Sequence, residues 1–126
     1  NVTCAPSFVQ KASIAALREE TNEVEAMVKE YQRRRDYAVK AINEVPGLSC
    51  QCPEGAFYIF INAKPLSMSS EELAGYLLES AGIALVPGSV FGESGEGYLR
   101  MSFANSYENI VEGTKRLADA VRKLDK

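Results

Sequence analysis

An arginine, Arg100, stands in the middle of the apolar stretch "YLRMSF", directly behind the glycine-rich run "VPGSVFGESGEG". Arginine is planar, permanently charged and bidentate, so it suits a carboxylate better than lysine does. On a strand rather than in a loop, its fork has a fixed direction. Strand alternation places Leu99, Met101 and Phe103 on one face, toward a core, and Tyr98, Arg100 and Ser102 on the other. The plain alternative to a carboxylate clamp is a cross-strand salt bridge on a polar sheet face. The glycine run suggests two further chemistries and fails both. No Gly-Lys-Ser/Thr follows it, so it is not a P-loop. Gly95-x-Gly97 lacks the third glycine, because Arg100 occupies that place, and it precedes a strand rather than a helix. A dinucleotide-binding fingerprint is therefore rejected. As plain structure the run is a mobile surface loop between two strands, with its glycines at positive φ.

Cys50-Gln51-Cys52 raises the question of a metal pair. The chain holds three cysteines, the third being Cys4, and no histidine. A C-x-C with one distant third cysteine is a poor zinc site, so the cysteines read as buried or half-buried thiols and no metal is expected. An odd number of thiols fits a reducing compartment, which points to the cytoplasm. Without an imidazole, Ser-His-Asp hydrolysis, Cys-His proteolysis and histidine-metal catalysis are all excluded for this chain.

The elements that must position Arg100 follow from length and pattern. A chain of 126 residues suggests one domain that buries roughly two thirds of its unfolded surface. Apolar residues make up 46% and charged residues 25%, as in ordinary globular proteins. With a net charge of −3 and no basic run beyond Arg33-Arg34-Arg35, nucleic acid is not the expected partner. No apolar stretch is long enough to span a membrane, and no signal peptide is visible.

Ser7 reads as the cap of a helix from Phe8, with a break near Thr21-Asn22. A second helix carries Val24, Met27, Val28, Tyr31, Ala38, Ala41 and Ile42 and stops at Pro46-Gly47. Arg33 to Asp36 read as its solvated face. "LSCQC", "AFYIFIN", "IALV" and "YLRMSF" read as short strands. "AFYIFIN" is apolar on both faces, which predicts cover on both sides. Ser69 and Glu72 form a capping box for a short helix ended by Gly82. The closing helix puts Tyr107, Ile110, Val111, Leu117, Val121 and Leu124 on one stripe. The expected fold class is α+β in two layers, with long helices on a small, mostly antiparallel sheet.

Five segments in this order carry a resemblance: "FVQKASIAAL", "EYQRRRDYAVKAINEVPGLSC", "PEGAFYIF", "VPGSVFG" and "GYLRMSFA". Together they resemble the C-terminal small domain of class I/II aminotransferases. These are fold type I enzymes that depend on pyridoxal 5′-phosphate and are related to aspartate aminotransferase. The resemblance implies that residues 1–126 are that domain and that Arg100 binds the substrate α-carboxylate. It places Gly55-Ala56-Phe57 and the loop from Pro87 to Gly92 near the mouth of the active site. It implies an enzyme that moves an amino group between an amino acid and a 2-oxo acid, as a homodimer.

The family also needs a lysine in a Ser-x-x-Lys-like segment to hold the cofactor. None of Lys11, Lys29, Lys40, Lys64, Lys115, Lys123 or Lys126 has that context. The family's glycine-rich phosphate segment, pyridine-pairing aspartate and ring-oxygen tyrosine belong to its large domain and have no counterpart. With Asn1 at its start, the chain is expected to be a fragment lacking the large domain. It should be inactive alone, with no catalytic or cofactor-binding residue of its own, and prone to self-association. The alternative is a non-enzymatic regulatory or oligomerisation module derived from this domain, with Arg100 kept only as a sheet-face ion pair.

Overall fold

The computed structural model describes residues 4–19 and 22–124. Thr21, where the helical break was expected, lies outside them, as do Asn1 and Lys126. The described residues form four helices and a three-stranded antiparallel sheet of order β1-β3-β2, and the last three helices pack on that sheet. In chain order these are α1 (Ser7–Arg18), α2 (Asn22–Asn43), β1 (Tyr58–Asn62), α3 (Ser70–Ala81), β2 (Val86–Pro87), β3 (Tyr98–Ser102) and α4 (Tyr107–Leu124). The expected α+β class is the observed one.

The core is built by alternation on the sheet and by helical spacing above it. Ile59, Ile61 and Leu99 point inward and are fully buried. They meet Ala38 and Ile42 of α2, Leu73 and Leu77 of α3, and Ile110, Leu117 and Val121 of α4. Full burial of one such Leu or Ile side chain stabilises by roughly 1.5–3 kcal/mol. Phe103 leaves β3 and closes this layer, and its amide donates to the Phe57 carbonyl at 2.9 Å. The Tyr76 hydroxyl of α3 donates to the Ala120 carbonyl of α4 at 3.0 Å, tying two helices of the layer together.

Several expectations change. "LSCQC" is not a strand. It makes one bridge, Ser49 with Asn62, because Asn43 caps its continuation: the Asn43 side chain accepts from the Cys50 amide and donates to the Cys50 carbonyl. "IALV" shrinks to its last residue, in the two-residue strand Val86–Pro87; the start of the segment is tied to the end of α3, where the Ile83 amide donates to the Leu77 carbonyl at 3.2 Å. Helix α1 begins at Ser7 itself, with Pro6 in the cap position and no side-chain cap. The capping box at Ser69 forms as read: the Ser69 hydroxyl accepts from the Glu72 amide at 3.2 Å and the Glu72 carboxylate accepts from the Ser69 amide at 3.1 Å. Gly82, left-handed at φ 64°, ends α3.

The arginine run is not a purely solvated face. Arg33 lies over the Tyr107 ring at 3.8 Å, joining α2 to α4. Arg34 pairs with Glu30 at 2.8 Å, and Arg35 donates to the Pro53 carbonyl at 3.3 Å. The thiols also differ from expectation. Cys50 is half-buried, but Cys4 and Cys52 are exposed, because the irregular segment after Ser49 runs over the surface. Burial pushes the Cys50 thiol up, and the neighbouring Cys52 adds to it.

Candidate functional site

The outer face of the sheet is built by parity. Cross-strand register sets Tyr58 opposite Ser102, Phe60 opposite Arg100, and Asn62 opposite Tyr98, while Val86 flanks Arg100 from β2. All project away from the core. The cover expected on this side of "AFYIFIN" is not present among the described residues, and Phe60 is 40% exposed. Arg100 projects from this face as the reading of β3 requires.

Its surroundings are aromatic. The guanidinium carbon lies 4.4 Å from the centre of the Tyr58 ring and 4.8 Å from that of Phe91. Among the described residues the Arg100 side chain makes no ion pair and no hydrogen bond. The cross-strand salt bridge is therefore not what holds it. The rings extend as a sheet-face cluster. Phe60 stacks on Tyr98 at 5.3 Å and meets Phe91 edge-on at 5.9 Å. The Lys64 ammonium sits over Tyr98 at 4.9 Å.

The glycine loop takes a defined path between the two strands. It forms two short 3-10 turns, Gly88–Phe91 and Glu93–Gly95. Gly88 and Gly95 are needed for close approach, since a Cβ on either would strike the other's carbonyl oxygen. Only Gly92 and Gly97 of the run take positive φ. Glu96 pins the loop to the start of α3. Its carboxylate accepts from the Ser70 amide at 2.7 Å and from the Ser70 hydroxyl at 2.9 Å. These bonds, the backbone one first, hold its carboxyl below the ordinary carboxylate value. The Ser89 amide leans on the same Ser70 hydroxyl at 3.4 Å. Phe91 is thereby fixed over Arg100.

Beside this face lies an open concavity of about 760 Å³, floored by Tyr58, Phe60, Asn62 and Tyr98 and walled by Ser49 to Glu54. It reaches the neighbours of Arg100 but not Arg100 itself. Gly55 and Ala56 border a second hollow of about 330 Å³ under α2. Ala56 takes φ 56° there, an unusual conformation for a residue with a Cβ. Sequence reasoning placed Arg100 on this face. It missed Tyr58 and Phe91 as ring partners, although the parity of β1 already placed Tyr58 on the arginine's face.

Known proteins share this arrangement of chain. The family model for aminotransferase class I and II matches residues 1–117. An aspartate aminotransferase of Pyrococcus horikoshii is 45% identical over 117 residues, 91% of this chain and 30% of that protein. An aromatic-amino-acid aminotransferase of Thermococcus litoralis is 42% identical over 125 residues, 98% of this chain and 32% of that protein. Among solved structures, an aromatic aminotransferase from Pyrococcus horikoshii superposes with a TM-score of 0.91 at 42% identity, covering 98% of this chain and 34% of that one. The chain thus spans about a third of the length of these relatives. With a match over nearly its whole length, in sequence and in fold, the chain belongs to the class I and II aminotransferase family.

Proposed function

We propose that this chain is the carboxylate-binding domain of a pyridoxal-phosphate-dependent aminotransferase, and that Arg100 holds the α-carboxylate of the amino acid and of the 2-oxo acid. The observation that carries the reading is the guanidinium itself: a cation fixed on a strand, on the open face of the sheet, bracketed by rings and paired with no acid among the described residues. Such a fork accepts a planar anion with two parallel N–H···O bonds. Binding by both oxygens fixes where the next carbon points, which is the orienting work a transamination needs from this part of the protein.

Pyridoxal phosphate, in the longer protein, supplies the electron sink for that reaction. The residues present here do not fit it. Gly88 and Gly95 are spent on each other, so the loop offers no phosphate cradle. Each described lysine is exposed, where a covalent cofactor link would not be shielded from water. Turnover is accordingly assigned to the longer protein, and the isolated chain is proposed to be inactive. The open sheet face and the bare α1 are proposed to be covered in the assembled, dimeric enzyme.

The test is substitution in the longer protein. Arg100→Ala is expected to lower kcat/KM at least about a hundredfold, from a lost charged bond and lost orientation together. Near-native kinetics would remove Arg100 from the site.

A further inference from the structure

We infer that Tyr58 and Phe91 are positioning residues for Arg100, two rings that hold its guanidinium where an acidic partner would otherwise stand and so keep its N–H fork free for a carboxylate. The inference rests on the carboxylate-clamp reading above.

A long arginine on a half-open sheet face needs something to restrict it. The usual restraint is a carboxylate, which would occupy the fork and compete with any substrate. Aromatic faces attract the cation through the ring quadrupole without accepting from its N–H groups in the fork's plane. The two rings come from different elements. Tyr58 stands on β1, two residue pairs along from Arg100's partner Phe60 and on the same face. Phe91 ends the 3-10 turn that follows β2. Neither ring is there as core filling: Tyr58 is 37% and Phe91 50% exposed.

The loop's internal order gains a purpose from this. The Gly88–Gly95 contact and the Glu96–Ser70 bonds set the height of the turn, and the turn sets Phe91. Phe60 then braces Phe91 from its edge. A displaced loop would release one side of the bracket and leave the guanidinium free to swing.

Two measurements on the 126-residue chain separate bracket from packing. The Arg100 Nε–H resonance of the 15N-labelled chain reports ring currents directly, and its shift on titration with 2-oxoglutarate or L-aspartate, against sodium chloride as control, reports carboxylate binding. The resonance is expected to be displaced by the rings and to move on addition of either carboxylate. Phe91→Leu and Tyr58→Leu are each expected to abolish part of the displacement and to weaken carboxylate binding by about tenfold. Phe91→Tyr and Tyr58→Phe are expected to stay within about twofold, because a ring remains. A purely structural role would instead be met by leucine, which keeps apolar bulk. Native affinity in either leucine variant that folds, with Arg100 still responding to carboxylate, overturns the bracket. An Arg100 signal that shows the ring shift but answers neither carboxylate overturns the clamp reading on which it rests. The two sites are substituted separately, so misfolding at one leaves the other decisive.

Discussion

Arg100 is legible from the sequence because parity alone fixes its face, and the register of β3 against β1 bears that out. What holds it was not legible. A cross-strand ion pair was the plain alternative, and the structure supplies rings instead. Tyr58 follows from the same parity. Phe91 does not, since no pattern announces how a 3-10 turn aims its last side chain. The bidentate geometry makes a sharp prediction at this scale. Arg100→Lys in the longer protein should recover little of what Arg100→Ala loses in steady-state kcat/KM, because a point charge has no fork. Recovery to within a few fold would show that charge alone suffices. Ser89 gives a control of the opposite kind. Its hydroxyl is buried with no hydrogen-bond partner among the described residues, while the hydrogen bond that its backbone N–H donates to the Ser70 hydroxyl survives substitution. Ser89→Ala should therefore leave chemical-denaturation stability unchanged or raise it by up to about 1 kcal/mol. A loss larger than that would reveal a partner for the hydroxyl.

Elements were read with uneven success, and the failures share a cause. The capping box at Ser69 and the stop at Gly82 are local chemistry, so a few residues suffice to read them. "LSCQC" and "IALV" have strand composition, but Asn43 diverts the first into side-chain bonds and the end of α3 holds the start of the second. In the loop, every glycine was read as conformational freedom. Two of them are instead required for backbone contact, and Gly88→Ala should lower stability by about 1–3 kcal/mol through that collision. Thermal or denaturant unfolding reads this directly, and an unchanged midpoint would mean that the loop yields.

Acid should loosen the same loop. The Glu96 carboxyl is lowered by its bonds to Ser70, so the ionised form is the one the fold favours. Its contribution is full above the ordinary carboxylate value and is lost as pH falls through the lowered one. The Glu72 carboxyl in the capping box, lowered by its bonds to Ser69, behaves in the same sense. Amide exchange at Ser70 should therefore accelerate beyond its intrinsic rate across that acidic window, and Glu96→Gln should remove the pH dependence there. Protection that is constant through the window would contradict the anchor.

The whole molecule is a closed core with an unfinished surface. The inner face of the sheet is sealed by three helices, yet α1 has no buried residue. Phe8 is 73% and Leu17 87% exposed, and Val24, Met27 and Val28 continue the apolar surface along the first half of α2. Apolar area of this kind tends to be covered by a partner. The relatives are about three times as long, and in the longer protein the remaining chain is the proposed cover. The 126-residue chain alone should self-associate through this surface, with a weight-average mass that rises with concentration in sedimentation. A strict monomer throughout would show that α1 folds back on its own domain. The apolar spacing of α1 and α2 was visible in the sequence; that Ala38 and Ile42 alone are buried along the described α2 was not, because periodicity does not say which neighbour a stripe meets.

The central claim is that Arg100 reads the α-carboxylate, and a paired substrate and residue exchange in the longer protein tests it most directly. Turnover is measured for an amino acid that the enzyme accepts and for its α-carboxamide, with Arg100 and with Arg100→Leu. The wild-type enzyme should prefer the acid over the amide by at least about a hundredfold in kcat/KM, and Arg100→Leu should bring that preference close to unity. A preference for the acid that survives intact in Arg100→Leu would place the carboxylate elsewhere and contradict the account.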